Sequence, residues 1–377
     1  MTLILGEDEV RQLLDVGESM AALEDAYRDL GRGEAVNRPR SDIYAPHEFG
    51  DDTFYVFKSF EGMLPHAGVV ALRLNSDVIT WSSYAGAIRK DKAPLAPGGR
   101  WVGLILLFST HTGQLLAIMP DGMIQSARVA ATNALAARSM ARAEAKVYGL
   151  VGTGQQAGAQ LLAMAHALQL TQVRVFSPNA SHRAEFARRY SELTGLDVRA
   201  VDSAGNAAQD ADILGLATNA VVPVVGAECL RSGMHITCVK RGELDEEILR
   251  RADRIIVHTQ NEGPRNYFAG IAGRHESVGA DPVIARPDTG PDGAPVQETR
   301  TSADTASVDL GAAPILASLV SGEIAGRADA DEINVFVNNM GAGIQFAALG
   351  GLVYRKARDA GIGRELPDDW FSESLHP

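Results

Sequence analysis

The chain has 377 residues, 46% apolar and 22% charged, with 35 basic against 47 acidic side chains and a formal charge of −12. This composition excludes wholesale disorder, and a net-acidic chain with no dense Lys/Arg block is a poor binder of nucleic acid or anionic membrane. At roughly 150 residues per domain two domains are expected. Cys229 and Cys238 are too few for a disulfide framework, Met1–Glu9 lacks a signal-peptide pattern, and Val102–Phe108 is far shorter than the ~20 residues of a membrane span, so a cytoplasmic protein is expected.

In chain order, Glu7–Leu14 and Glu18–Leu30 read as helices, with Met20, Leu23, Tyr27 and Leu30 on one face of the second. Strand patterns come next at Thr53–Ser59, Gly68–Asn75, Trp101–Ser109 and Gln114–Met119, the last two joined by a hairpin loop at Thr110–Gly113. Trp81–Arg100, rich in Gly, Pro and Lys, reads as a long loop. Ile124–Ala143 is an Ala-rich helix able to carry the chain between domains. The rhythm then becomes alternating βα. Strands are expected at Lys146–Val151, Gln172–Phe176, Asp197–Val201, Asp212–Ala217, His235–Val239 and Arg254–Val257, with helices at Gln155–Leu168, Ser181–Leu193, Ala204–Asp210 and Asp245–Arg250. That alternation implies a parallel sheet covered on both faces. Asn261–Ser307 reads as a surface insertion, with a core of Gly, Pro and Asp at Gly279–Thr301. A helix at Pro314–Gly322, a strand at Glu332–Val337 and a helix at Gly341–Ala360 complete the pattern.

The strongest local signal is KVYGLVGTGQQA, where a strand runs through Gly152-Thr153-Gly154-Gln155-Gln156-Ala157 into a helix. Gly152 suits the tight turn, Gly154 admits a pyrophosphate against the backbone, and Ala157 keeps helix close to strand. The helix N-terminus offers free N–H donors to the phosphates. A dinucleotide-binding unit is therefore expected, the alternative being a tight strand-to-helix turn in some other α/β protein. The second strand of such a unit carries the ribose reader. Here it ends in Ser177-Pro178-Asn179-Ala180-Ser181-His182-Arg183, without an acid. Ser177, Asn179 and Arg183 would suit a 2′-phosphate, favouring NADP(H) over NAD(H). Equally, His182 and Arg183 could be solvated first-turn residues.

Several pieces in order resemble the ornithine cyclodeaminase/mu-crystallin family: Arg40 in NRPR, the hairpin GLILLFSTHTGQLLAIMPDG, Arg128 in IQSARVAATNALA, the GTGQQA turn, Met234–Leu249 and SGEIAGRADADEINVF. The resemblance implies an α/β chain with a Rossmann-type dinucleotide-binding domain and an α+β substrate and dimerisation domain built from both chain ends. The corresponding boundaries are 1–130 and 322–377 for the substrate domain, and 131–321 for the Rossmann domain with its insertion near 261–307. It implies a homodimer acting on a small amino-acid or imine substrate, with hydride passing between nicotinamide and Cα. An ornithine cyclodeaminase recycling its NAD, or a non-catalytic NADPH-dependent binding protein, are the alternatives.

Carried over residue by residue, Arg40 and Arg128 match the family's carboxylate-binding arginines, a planar guanidinium being able to grip a carboxylate twice. Arg73 in GVVALRLN occupies the place of the family's active-site lysine. It can bind or orient but is a poor general base, so Lys58 in YVFKSF is a candidate substitute; a solvated strand-edge lysine is the alternative. The family's loop aspartate is missing from Cys238-Val239-Lys240-Arg241-Gly242-Glu243-Leu244. Two cations there disfavour an ω-ammonium substrate, unless they point to solvent. By the resemblance, Ala217, Thr218, Asn219 and Val239 fall where the family approaches the nicotinamide, an ordinary turn at 217–219 being the alternative. Asn339 falls where the family reaches the substrate, though an Asn there can equally cap a helix. No spacing of histidines suggests a metal site.

Overall fold

Residues 1–50, 53–84, 87–220, 222–260, 265–270, 276–278 and 308–375 are described by the structure, a computed structural model. The first part of the chain supplies β1 (Thr2–Ile4), α1 (Glu7–Leu13), α2 (Val16–Gly31), β2 (Val36–Asn37), β3 (Ser41–Pro46), β4 (Phe54–Leu64), β5 (Val69–Tyr84), β6 (Ala87–Ala93), β7 (Val102–Ser109), β8 (Leu115–Pro120) and α3 (Gly122–Met140). The middle supplies β9 (Val147–Val151), α4 (Gln155–Ala167), β10 (Gln172–Phe176), α5 (Ala180–Thr194), β11 (Asp197–Ala200), α6 (Ala204–Ala208), β12 (Ile213–Leu216), β13 (His235–Cys238), α7 (Glu246–Arg251) and β14 (Arg254–Val257). The remainder supplies β15 (Arg265–Phe268), β16 (Glu276–Val278), α8 (Leu316–Val320), β17 (Asn334–Val337), α9 (Gly343–Ala360) and β18 (Arg364–Leu366).

These strands form two sheets. The larger is mixed, in the order β16-β15-β3-β4-β5-β7-β8-β1-β18, with β2 on β4 and β6 on β5. The other is wholly parallel, β11-β10-β9-β12-β13-β17-β14. Its strands are short and apolar, with β12, β13 and β17 buried throughout, as expected for a sheet covered on both faces. After β9 the chain winds outward to β10 and β11, then returns to the other side at β12. The β9/β12 boundary is the switch point where ligands of such sheets bind.

Packing derives from the sequence pattern. Asp15 accepts from the Glu18 amide and starts α2, which buries Met20, Leu23 and Tyr27 on one side. The small residues of α3 let it lie buried along much of its length, packed with α2, α4 and α9 in one apolar core. Helix α9 sits directly on β4 because neither Gly62 nor Gly343 carries a side chain; a Cβ on Gly62 would lie 2.1 Å from the Ile344 nitrogen. No helix among the described residues is long and apolar enough to cross a membrane.

Three sequence expectations are corrected. The loop expected at Trp81–Arg100 is largely sheet: β5 continues to Tyr84 and pairs antiparallel with β6. Aromatic and hydroxyl residues sustain β5, and the prolines of this stretch, Pro94 and Pro97, come only after β6 has ended. The insertion at 261–307 gives two strands to the larger sheet, β15 pairing with β3 and β16 with β15; its 279–307 portion lies outside the described residues. The chain returns to the larger sheet after β17, not at residue 322, because β17 is inserted between β13 and β14.

Candidate active site

The glycine-rich turn sits at the switch point. Gly152 has φ +123°, and a Cβ there would lie 2.3 Å from the Ala217 carbonyl, so the turns after β9 and β12 touch only because residue 152 is glycine. Gly154 starts α4 without a side-chain cap, and a Cβ on it would meet nothing within 4 Å. Open space over a bare helix N-terminus fits a pyrophosphate. Ala157 is buried against the strand. Thr153 and Ser177 join through their hydroxyls at 3.1 Å. Asn179 caps α5, so its amide belongs to the helix start. Arg183 stacks over Phe176, donates to the Ser177 carbonyl at 3.2 Å and pairs with Asp202 at 2.7 Å.

The turns after β12 and β13 are tied by a single buried carboxylate. Glu243 accepts from the Thr218 amide (2.6 Å) and hydroxyl (2.7 Å) and from the amides of Val239 (3.0 Å) and Lys240 (3.3 Å). Burial pushes its pKa up while these donors oppose the shift. The one acid of the loop is therefore committed to backbone amides and the Thr218 hydroxyl. Arg241 turns onto Glu246, and Lys240 is largely buried with its pKa pressed down by desolvation. Asn219 reaches Asp91 on β6 at 3.3 Å, linking the parallel sheet to the larger one.

The glycine-rich turn also touches the arginine helix. Gln155 donates to the Ser126 hydroxyl at 3.1 Å and Gln156 to the Ser126 carbonyl at 3.3 Å. Two residues on, Arg128 is buried among the apolar and small residues of α3. Its Nη1 donates to the Gln345 amide oxygen at 2.9 Å and its Nε to Gln125 at 3.3 Å, and its guanidinium lies 5.4 Å from the centre of the Phe346 ring. Gly341 packs on it so closely that a Cβ would lie 2.8 Å from Nη1. Burial, with Arg73 nearby, presses the Arg128 pKa down to about 9; the guanidinium stays charged at neutral pH.

Arg73 shares this neighbourhood, 5.1 Å from the Phe60 ring centre and 5.3 Å from that of Phe346. Its Nη2 meets Asp121 at 2.5 Å. Gly103 makes room for that carboxylate, since a Cβ there would overlap Asp121. Arg40 pairs with the fully buried Asp42 at 2.8 Å and lies 5.8 Å from the Phe60 ring centre. Lys58 is directly across from Asn75 and on the same face of β4 as Phe60, which is opposite Arg73. Its Nζ lies 3.6 Å from Asp77, whose other cation is Lys92 at 2.7 Å. Burial and the Lys92 charge lower the Lys58 pKa to about 7, against the opposing pull of Asp77.

The fold thus brings Arg40, Arg73 and Arg128 to the rings of Phe60 and Phe346, with Lys58 two residues from Phe60 on the same face of β4. It places Asn339 differently: that side chain donates to the Thr259 carbonyl and accepts from the Thr259 amide. Residues that sequence reasoning passed over are the counter-ions Asp42, Asp77 and Asp121, the rings Phe60 and Phe346, and Gln345. Polar positions inside otherwise buried elements were the one available signal. Asp29, Glu34 and the His66 ring also stand close enough to share a cation, at positions partly or fully exposed; such a cluster by itself carries no assignment.

With this geometry in view, comparison with known proteins is decisive at the family level. The profile described as the ornithine cyclodeaminase/mu-crystallin family matches residues 98–361. The chain belongs to that family. It is 26% identical to an alanine dehydrogenase of Archaeoglobus fulgidus over 97% of this chain and 98% of that one. It is also 26% identical to a Δ1-pyrroline-2-carboxylate reductase of Bacillus cereus, over 70% of this chain and 74% of the relative. Among solved structures, the Thermococcus litoralis Δ1-pyrroline-2-carboxylate reductase in complex with NADH and L-proline superposes with a TM-score of 0.73 at 25% identity, covering 97% of this chain and 100% of that one.

Proposed function

We propose that this chain is an NAD(P)-dependent oxidoreductase that moves hydride between a nicotinamide and the Cα of a small amino acid or its imine. The observation that carries this reading is Arg128. It is a buried cation whose acceptors, among the described residues, are amide oxygens with no carboxylate at ion-pair distance. Such a charge is costly unless a ligand anion completes it. Arg73 and Arg40 have their own carboxylates and shape the pocket around it.

A bound nicotinamide dinucleotide supplies or accepts the hydride. Gly152, Gly154 and the first amides of α4 hold its pyrophosphate, while Ala217, Thr218 and Val239 line the neighbouring turns. Arg128 orients the substrate carboxylate and so presents Cα. Phe60 and Phe346 exclude water and strengthen the charges between them. Lys58, poised near neutrality, carries the proton of the amine or imine nitrogen in place of the family lysine. The domain assignment follows the two sheets, with the Rossmann part on the parallel one. NADP(H) is preferred: the strand β10 end has no acid, and Arg183 can exchange the exposed Asp202 for a 2′-phosphate. A homodimer is supported by Ile43, Tyr55, Val102, Leu104 and Tyr267, all exposed on one outward face of the larger sheet.

The test is loss of nicotinamide absorbance when NADPH, and separately NADH, is mixed with Δ1-pyrroline-2-carboxylate, other cyclic ketimines, and α-keto acids with ammonia or methylamine. Turnover of one member, with its KM raised at least tenfold by Arg128→Ala, is expected. No turnover on any imine, or turnover indifferent to Arg128→Ala, overturns the reading. Ammonia release from ornithine without net change in the dinucleotide would establish a cyclodeaminase instead.

A further inference from the structure

Resting on the reading of Arg128 as the carboxylate anchor, we propose that Tyr27, Gln345 and His258 form a buried clamp that sets the orientation of its guanidinium. They are positioning residues for substrate recognition, drawn from three separate parts of the chain. Tyr27 lies on α2, Gln345 on α9, and His258 directly follows β14, where its amide bonds the Val337 carbonyl at the end of β17.

The hydrogen bonds admit one direction of donation. The Gln345 oxygen takes bonds from Arg128 Nη1 (2.9 Å) and the Ala342 amide (3.0 Å). Its nitrogen is therefore the donor that reaches Tyr27 Oη and Thr132 Oγ1, both at 2.8 Å. Thr132 shares its hydroxyl proton between the Arg128 carbonyl at 2.7 Å and Tyr27 Oη at 2.9 Å. On the other side, His258 Nδ1 faces the Met340 carbonyl, which can only accept, so Nδ1 carries the proton. Nε2 is then an acceptor, and the Tyr27 hydroxyl donates to it at 2.7 Å. Burial favours the neutral imidazole that this arrangement requires.

Two routes leave Tyr27 and His258 and converge on Arg128. One runs through the Gln345 amide onto Nη1. The other runs through Met340, held by His258, to Gly341, whose backbone lies against the guanidinium. The plane of Arg128 is thus set by α2, α9 and the end of the parallel sheet together. A group confined to holding up the core would not need its amide oriented toward the one buried guanidinium without a carboxylate partner among the described residues.

A double-mutant cycle tests this, with Δ1-pyrroline-2-carboxylate as probe; KM is read where the probe is turned over, and Kd by calorimetry where it is only bound. Tyr27→Phe removes one hydroxyl with little change of shape. It is expected to weaken the probe by about fivefold, the effect of one lost hydrogen bond, with dinucleotide affinity unchanged. In an Arg128→Ala background the same change is expected to have no further effect, because the clamp has nothing left to hold. Gln345→Glu keeps the bond to Arg128 but supplies a competing carboxylate, so it should weaken the probe by more than tenfold while leaving dinucleotide affinity unchanged. If Arg128→Ala weakens the probe but Tyr27→Phe acts equally in both backgrounds, the clamp is a stability element and this inference alone falls. If Arg128→Ala changes nothing, the anchor reading falls and takes the clamp with it. Should Tyr27→Phe fail to fold, the decision passes to Gln345→Glu, whose unaltered affinity would overturn the proposal.

Discussion

The Arg73 guanidinium closes on the Asp121 carboxylate, Nη2 at 2.5 Å and Nε at 2.7 Å from the same oxygen, with both side chains buried. Arg73 therefore arrives with its own counter-ion. Asp121→Asn would strand a buried charge, and removing one partner of such a pair costs about 3–5 kcal/mol. The expected outcome is a clear fall in the denaturant midpoint. An unchanged midpoint would mean that solvent or another group already balances Arg73.

On the proposed reading, Lys58 would give the reaction its pH dependence. Its pKa in the folded protein, about 7 instead of the ordinary value above 10, leaves it a proton donor below pH 7 and a base above it. Imine reduction should therefore lose rate as pH rises through about 7, and amine oxidation should gain it. Lys58→Met is expected to abolish that limb of the kcat profile and to lower kcat by about 10²–10³-fold. A profile that keeps its limb in the variant would assign the proton to another group.

The two glycines of the phosphate turn should separate folding from binding. Gly152→Ala places a Cβ against the Ala217 carbonyl at a positive φ, so it should lower the melting temperature of the ligand-free protein. Gly154→Asp points a carboxylate into open space at the helix start. It should leave the ligand-free melting temperature near that of the parent while raising the dinucleotide Kd more than tenfold, by repulsion of the pyrophosphate. Equal effects of the two substitutions on melting would contradict this division.

Acid should unfold the chain through its buried histidines. Burial lowers the pKa of His258 to about 4 and of His235 to about 3. Both are below the unfolded value near 6.5. Their contribution is complete above pH 6.5 and is lost as pH falls toward those folded values, because the unfolded chain takes up the protons first. Both ring nitrogens of His235 lack a partner among the described residues. His235→Leu should thus be tolerated at pH 7 and should retain on the order of 2 kcal/mol more stability than the parent at pH 4.5. Urea midpoints at the two pH values decide this; parallel losses in both proteins would refute it.

What the residues revealed and what they hid have physical causes. The parallel sheet was legible because its strands are short apolar runs between amphipathic helices, and the glycine-rich turn because Gly152 sits at a positive φ against the Ala217 carbonyl. Strand β3 was not, because its pattern is inverted: Asp42 and Tyr44 are buried while Ile43 is 48% exposed. The charged residues of β6 read as loop because sequence does not disclose that Lys92 faces a buried Asp77. The arginines were found through resemblance and helix position. The carboxylate partner of Arg73 lies at the start of α3, 48 residues on, and becomes visible only in the fold. Asn339 shows the converse, since an amide placed near a site in sequence is taken by a neighbouring backbone.

Helix α3 works as a ruler. Ser126 touches the start of the phosphate-binding helix, and Arg128 comes two residues later on the same rigid rod, a rise of about 3 Å. On the proposed reading, the gap between the dinucleotide and the anchored carboxylate would be set by a rigid helix and not by a loop. Substrates of different size would, on that reading, share one position at Cα and differ only at their far end. Changes of substrate range would then be sought in side chains other than Lys58, Phe60, Arg73 and Arg128, exchangeable without shifting the point of hydride transfer.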